Sequence, residues 1–175
     1  SASGGDASGG PAGFPPAPRA WRMEHAYLGP EWSDEAIESL KKIIPKIEDG
    51  SPQRAELLFQ LSELYWEKSK YLYRKEMLKF QDDEKKVDDA RNKGEKVADA
   101  KEDHRESELF RTETMRFYET ILREYPSYDR KDEVLFSLGY NLYETNKKDQ
   151  AVKRYEELIK NYPGSKFVPD TYVQL

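Results

Sequence analysis

The chain has no cysteine among its 175 residues. That excludes disulfides, thiolate nucleophiles and cysteine-ligated zinc, and it leaves the redox compartment open. No apolar run approaches the roughly 18 residues that a membrane-spanning helix needs. An excess of positive charge is also missing. Lys and Arg number 29 against 34 Asp and Glu, a net charge of −5 with the signs interspersed. A nucleic-acid binder would show a basic stripe, so nucleic acid is not an expected partner. Catalytic signatures are absent too: no phosphate-cradling glycine motif, nucleophile elbow or metalloprotease pattern occurs. The two histidines, His25 and His104, stand far apart. His104 has acidic neighbours, but Arg and Lys alternate with them, and the stretch reads as a solvated helix face rather than a metal site. Asp82-Asp83-Glu84 lacks the spaced oxygens and glycine of a calcium loop. The expectation is a protein without enzymatic activity, metal or cofactor.

What the chain has is charge (36%) and aromatics, with 12 Tyr, 7 Phe and 3 Trp. Aromatics supply much burial per residue, which offsets the modest apolar fraction. The length suits one domain with a tail. Residues 1–20 are almost wholly Gly, Ala, Ser and Pro and read as a disordered tether. The helical domain is expected over 21–175. Trp21, Met23, Tyr27, Leu28 and Trp32 follow the tether, with a turn at Gly29-Pro30. Ser33 then offers an N-cap to a helix carrying Ala36, Ile37, Leu40 and Ile43, which Pro45 should end near Ile44. The chain starts without Met and stops inside an apolar-periodic segment, so it reads as a fragment whose last repeat is cut at 175.

Ser51-Pro52 is a strong helix start, and nothing breaks the pattern before about Arg91. Two apolar series repeat every seven residues: Leu57, Leu64, Tyr71, Leu78, and Phe59, Trp66, Tyr73, Phe80, Val87. Asn92-Lys93-Gly94 is the one turn signal, and a second helix is expected from Glu95 to about Tyr125, stopped by Pro126. Folding back there would pair Val87 with Ala100, Phe80 with Ser107, Tyr73 with Thr114 and Trp66 with Ile121. Large would meet small along that seam. The expectation is a coiled-coil-like antiparallel hairpin protruding over 66–113, with one continuous helix as the alternative. Its charge-laced stretch Arg74–Glu108 reads as a spacer, with a partner contact at the tip or self-association through the hairpin left open.

An internal repeat decides the class. Met115–Leu138 aligns without gaps on Val152–Leu175, matching Tyr118 to Tyr155, Tyr125-Pro126 to Tyr162-Pro163 and Leu138 to Leu175. The unit Asp132–Ser165 resembles a tetratricopeptide repeat. Leu135, Leu138, Gly139 and Leu142 occupy its first-helix signature positions, and Ala151, Tyr155, Leu158 and Pro163 those of the second helix. Gly139 and Ala151 are small where helices would cross, and Tyr155 is large enough to fill the gap beside them. Leu58, Leu61, Ser62 and Tyr65 fit the same template with Thr114, Tyr118, Ile121 and Pro126, provided that about 40 residues are inserted between them. The implied fold is an all-α solenoid of antiparallel helix pairs, one of them extended into the hairpin. The Tyr-Pro-Gly-Ser ending and the string LSELYWEKS look most like bacterial cell-envelope repeat proteins of the Tol–Pal coordinator, outer-membrane assembly lipoprotein and gliding-motility types.

That resemblance implies a non-enzymatic scaffold for protein partners, in the periplasm or cell envelope, with a cytoplasmic location as the alternative. By the family template the binding groove would receive Glu56, Phe59, Glu63, Trp66 and Glu67 from one unit. Glu133, Phe136, Tyr140, Tyr143 and Glu144 would come from the next. Phe59 and Trp66 also lie on the hairpin seam, so packing competes with ligand contact for them. A clamp for acidic tails would need Lys and Asn at these positions and is disfavoured. A structural spacer or oligomerisation arm is the second reading.

Overall fold

The computed structural model describes residues 34–175, which contain six α-helices and a short 3-10 turn and no strand. The helices are α1 (Asp34–Ile43), α2 (Pro52–Asn92), α3 (Arg105–Glu124), α4 (Lys131–Glu144), α5 (Lys148–Asn161) and α6 (Val168–Gln174). The expected tether at 1–20 and the aromatic stretch up to Ser33 lie outside the described residues. The fold is all-α and repeat-like. From α2 to α6, each helix packs against the next in sequence.

Local chemistry sets the boundaries. Pro45 converts the end of α1 into the 3-10 turn Ile44–Lys46 because it removes a backbone donor. The Ser51 hydroxyl caps α2 by accepting from the Arg54 amide at 3.2 Å, with Pro52 at the first helical position. The helix then runs 41 residues to Asn92. Gly94 closes it at φ +83°, and the Glu95 amide reaches back to the Ala90 carbonyl at 3.0 Å. This left-handed glycine cap ends the helix where the sequence placed a turn.

The chain does fold back at Lys93-Gly94, but the return limb differs from the expected helix. Residues 95–104 are not helical, and α3 starts only at Arg105. This ten-residue stretch holds only Val97, Ala98 and Ala100 as apolar residues. Helices shorter than about 12 residues are marginal without an apolar face to bury. Side chains fix the stretch instead. Arg91 bonds the Val97 carbonyl at 3.1 Å and the Asp99 carboxylate at 2.6 Å. An extended chain advances at about 3.3 Å per residue against 1.5 Å in a helix, so the seam slips from the expected register. Tyr73 stacks on His104 with centroids 4.6 Å apart, not on Thr114. The Ser107 amide donates to Glu76 at 3.3 Å, where Phe80 was expected. Trp66 clusters with Tyr140 and not with Ile121. Buried residues reach Leu72 on α2 and resume at Ser107, so 73–106 holds none. The stretch without buried residues is therefore shorter than 66–113.

The core centres on α4, whose residues Glu133 to Leu142 are all buried. A helix covered on every side must present apolar groups all round. Leu135, Leu138 and Leu142 do so, together with Val134 and Phe136. Tyr118 and Tyr155, both fully buried, fill the spaces beside it.

Candidate protein-interaction face

The loop between α3 and α4 follows Pro126, and it delivers Tyr128 and Arg130 toward α2. Arg130 gathers three carboxylates: Glu133 Oε2 at 2.9 Å, Glu56 Oε1 at 3.0 Å and Glu63 Oε1 at 3.9 Å. Its guanidinium also lies 4.5 Å from the centre of the Phe59 ring, a cation–π contact. The buried Tyr128 hydroxyl donates to Glu56 Oε2. Burial acts to lower the Arg130 pKa, but Glu133, Tyr128 and Glu56 outweigh it and the net shift is upward. Burial pushes the Tyr128 phenol up, and the bond to Glu56 adds to the rise. Among the described residues, one guanidinium thus faces three carboxylates.

Higher on α2, Trp66 and Tyr140 form a small cluster of their own. The Lys70 ammonium sits 3.6 Å from the Trp66 ring centre and 2.9 Å from Glu67. Burial lowers the Lys70 pKa, with Glu67 opposing. Next to this cluster, Arg111 donates from Nε to Asn141 Oδ1 at 3.2 Å. Burial lowers its pKa as well.

Apart from Tyr143 and Glu144, the core of the expected groove divides into three sets. Phe59, Glu63 and Glu133 meet around Arg130. Trp66 and Tyr140 meet each other. Phe136 stands apart, fully buried and stacked on Phe167 at 5.1 Å. Phe59 (1% exposed) and Phe136 (0%) present no surface to a ligand, and Trp66 and Tyr140 present only edges at 6% and 2%. Glu63, Tyr143 and Glu144 remain partly accessible, as do Glu56 and Glu67 beside them. Tyr143 packs on the core edge under the Lys148 ammonium, 5.2 Å from its ring. Tyr128 and Arg130 escaped sequence reasoning. Their signal was indirect: Glu133 lies in an otherwise apolar helix segment, and a buried carboxylate requires a cation nearby.

His104 is not on a solvated helix face. Its side chain is only 18% exposed, stacked on Tyr73, with Nε2 2.7 Å from Glu102 Oε2. Among the described residues no group of three or more His, Asp or Glu is arranged to hold a metal ion. A cleft of about 320 Å³ between α2 and the return limb is lined by both charge signs, including Lys79, Lys101, Asp83 and Asp103. None of the described helices is long and apolar enough to cross a membrane.

Residues 133–165 match the tetratricopeptide repeat family model. The matched segment is α4, α5 and the turn after them, where Gly139 lies directly against Tyr155. Repeats of this class are generally non-catalytic protein-interaction modules. No curated protein and no solved structure matches the chain.

Proposed function

We propose that the chain is a non-enzymatic scaffold that binds a protein partner along the face shared by α2 and α4, within a bacterial cell envelope. The repeat match supports the scaffold reading. The envelope reading rests on the resemblance of the Tyr-Pro-Gly-Ser ending and the LSELYWEKS string. The observation that carries the choice of face is the gathering of Glu56, Glu63 and Glu133 around Arg130, bordered by the Trp66–Tyr140 cluster. A segment with basic residues and an apolar anchor complements it. Because the central aromatics are buried, the contact falls on the accessible rim: Glu56, Glu63, Glu67, Tyr143 and Glu144.

The test is affinity capture from separated envelope and cytosolic fractions, with the wild-type chain and a Glu63→Lys/Glu67→Lys variant of unchanged helicity. Capture of an envelope protein by the wild type alone supports the proposal. Equal capture by both chains, or capture from cytosol only, overturns it. A second reading, that the hairpin is a spacer or self-association arm, is favoured by the absence of buried residues over 73–106. Light scattering on the full chain tests it: a dimer that becomes monomeric when the hairpin is shortened supports the arm.

A further inference from the structure

His104 ends the return limb where α3 begins, and its carbonyl accepts from the Glu108 amide at 3.0 Å. Its ring lies between two carboxylates that come from different segments. Nε2 is 2.7 Å from Glu102 Oε2 on the limb, and Nδ1 faces Glu76 Oε1 of α2 at 3.8 Å. An ionised carboxylate only accepts, so the short contact requires the proton on Nε2. In the neutral ring Nδ1 is then a bare lone pair. That atom is shielded from water and has no hydrogen-bond partner. A lone pair and a carboxylate oxygen facing each other repel. A protonated ring gives Nδ1 a hydrogen to donate and a charge that attracts both carboxylates.

Histidine is the side chain whose charge ordinarily changes between about pH 5 and 8. We propose that His104 is a proton-operated clasp: its protonation fastens the base of the return limb to α2 through Glu76 and Glu102, and its deprotonation releases that hold. The groups around the ring agree with this. Tyr73 of α2 stacks on it at 4.6 Å, and an aromatic face suits a cation. Burial, then Glu102 and Glu76, push the Tyr73 phenol above its ordinary value, with Arg111 of α3 opposing, so the phenol stays neutral in this range. Asp103 and Arg105, on either side of His104 in sequence, are engaged with each other. In the cleft beside Glu76, Lys79, Lys101 and Arg105 are matched by Asp83, Asp103 and Glu106. A bond gained on protonation is present at low pH and lost as the ring deprotonates.

The Ser107 amide reports on the clasp, since it donates to the same Glu76 carboxylate at 3.3 Å. Hydrogen exchange of the full chain is measured at about pH 5.5 and about pH 8, on either side of the ordinary histidine range. Each rate is divided by that of an unstructured peptide at the same pH. Protection of the Ser107 amide should be about threefold higher at the lower pH, the size of a modest ion pair. The Ala151 amide of α5, bonded to the Lys147 carbonyl at 3.0 Å, should not change. His104→Gln keeps a donor for Glu102, and Glu76→Gln keeps an acceptor for Ser107. Each should hold Ser107 near its wild-type protection at the higher pH, whatever the pH. Equal Ser107 protection at both pH values in the wild type would overturn the proposal. A rise shared by Ala151, or one that survives in either variant, would overturn it too.

Discussion

Gly139 of α4 and Tyr155 of α5 are in contact so close that a Cβ on Gly139 would lie 2.5 Å from Tyr155 Cε1 and 2.7 Å from Cδ1. Tyr155 is fully buried, and Phe136 stands beside it at 6.1 Å between ring centres, so the ring has little room to yield. Gly139→Ala gains about 1 kcal/mol of helix propensity. Overpacking costs about 1–3 kcal/mol. The variant should therefore lose up to about 2 kcal/mol. Urea unfolding with an unchanged m-value checks this, and a midpoint above wild type would contradict the crossing geometry.

Arg130→Met should destabilise by about 2–3 kcal/mol, because it removes the cation held against the buried Glu133 carboxylate and leaves Glu56 and Glu63 facing it. Adding Glu133→Gln should recover part of the loss. Thermal unfolding of both variants measures it, and an Arg130→Met chain as stable as wild type would remove the guanidinium from the account of this face.

Replacing residues 79–102 by a short turn should leave unfolding cooperative and change stability by less than about 1 kcal/mol, since no buried residue is removed. A broad or two-step transition in the shortened chain would show that the hairpin belongs to the core.

Hydrogen exchange should separate the two limbs. Amides of residues 96–103 lack helical partners and should exchange at rates close to those of an unstructured peptide, while those of α3 from about Glu108 onward should be protected. Uniform protection from 95 to 124 would restore the longer helix expected from the sequence.

Asp103 bonds both the side chain and the amide of Arg105 at the start of α3. The side-chain bond, followed by the backbone one, draws its pKa down to about 2. A depressed carboxylate stabilises above its unfolded pKa, and that help fades as pH falls toward the folded value. The onset of α3 should therefore stay intact through pH 4 and loosen between about pH 4 and 2. Carboxyl-carbon NMR titration of Asp103 reads this directly. A midpoint near the ordinary aspartate range would refute the cap.

The parts of the fold read correctly were those where one residue type has one physical use. Gly139 against Tyr155, Pro45, Ser51-Pro52 and Gly94 each carry a steric or capping constraint visible in a few letters. The return limb was misread because Glu95–His104 is composed mostly of helix formers, and propensity says nothing about whether a helix has a surface to bury. The groove was read from first-helix positions, yet Phe59 packs on Tyr118 and Tyr128, Phe136 on Tyr155 and Phe167, and Trp66 on Tyr140, contacts that only the fold assembles. Tyr128 and Arg130 lie in a loop, where no periodicity marks them, and only the fold brings them to Glu56.

In an ideal repeat array each unit touches only its neighbours, so the ends can fray while the middle holds. Here the loop before α4 reaches back to α2, more than 70 residues earlier in the chain, through Tyr128–Glu56 and Arg130–Glu56. Loosening α4 therefore releases a charge and a phenol from α2 at the same moment. The two repeats are coupled by a tie that skips a helix, so a unit excised at the repeat boundary would leave half of that tie behind.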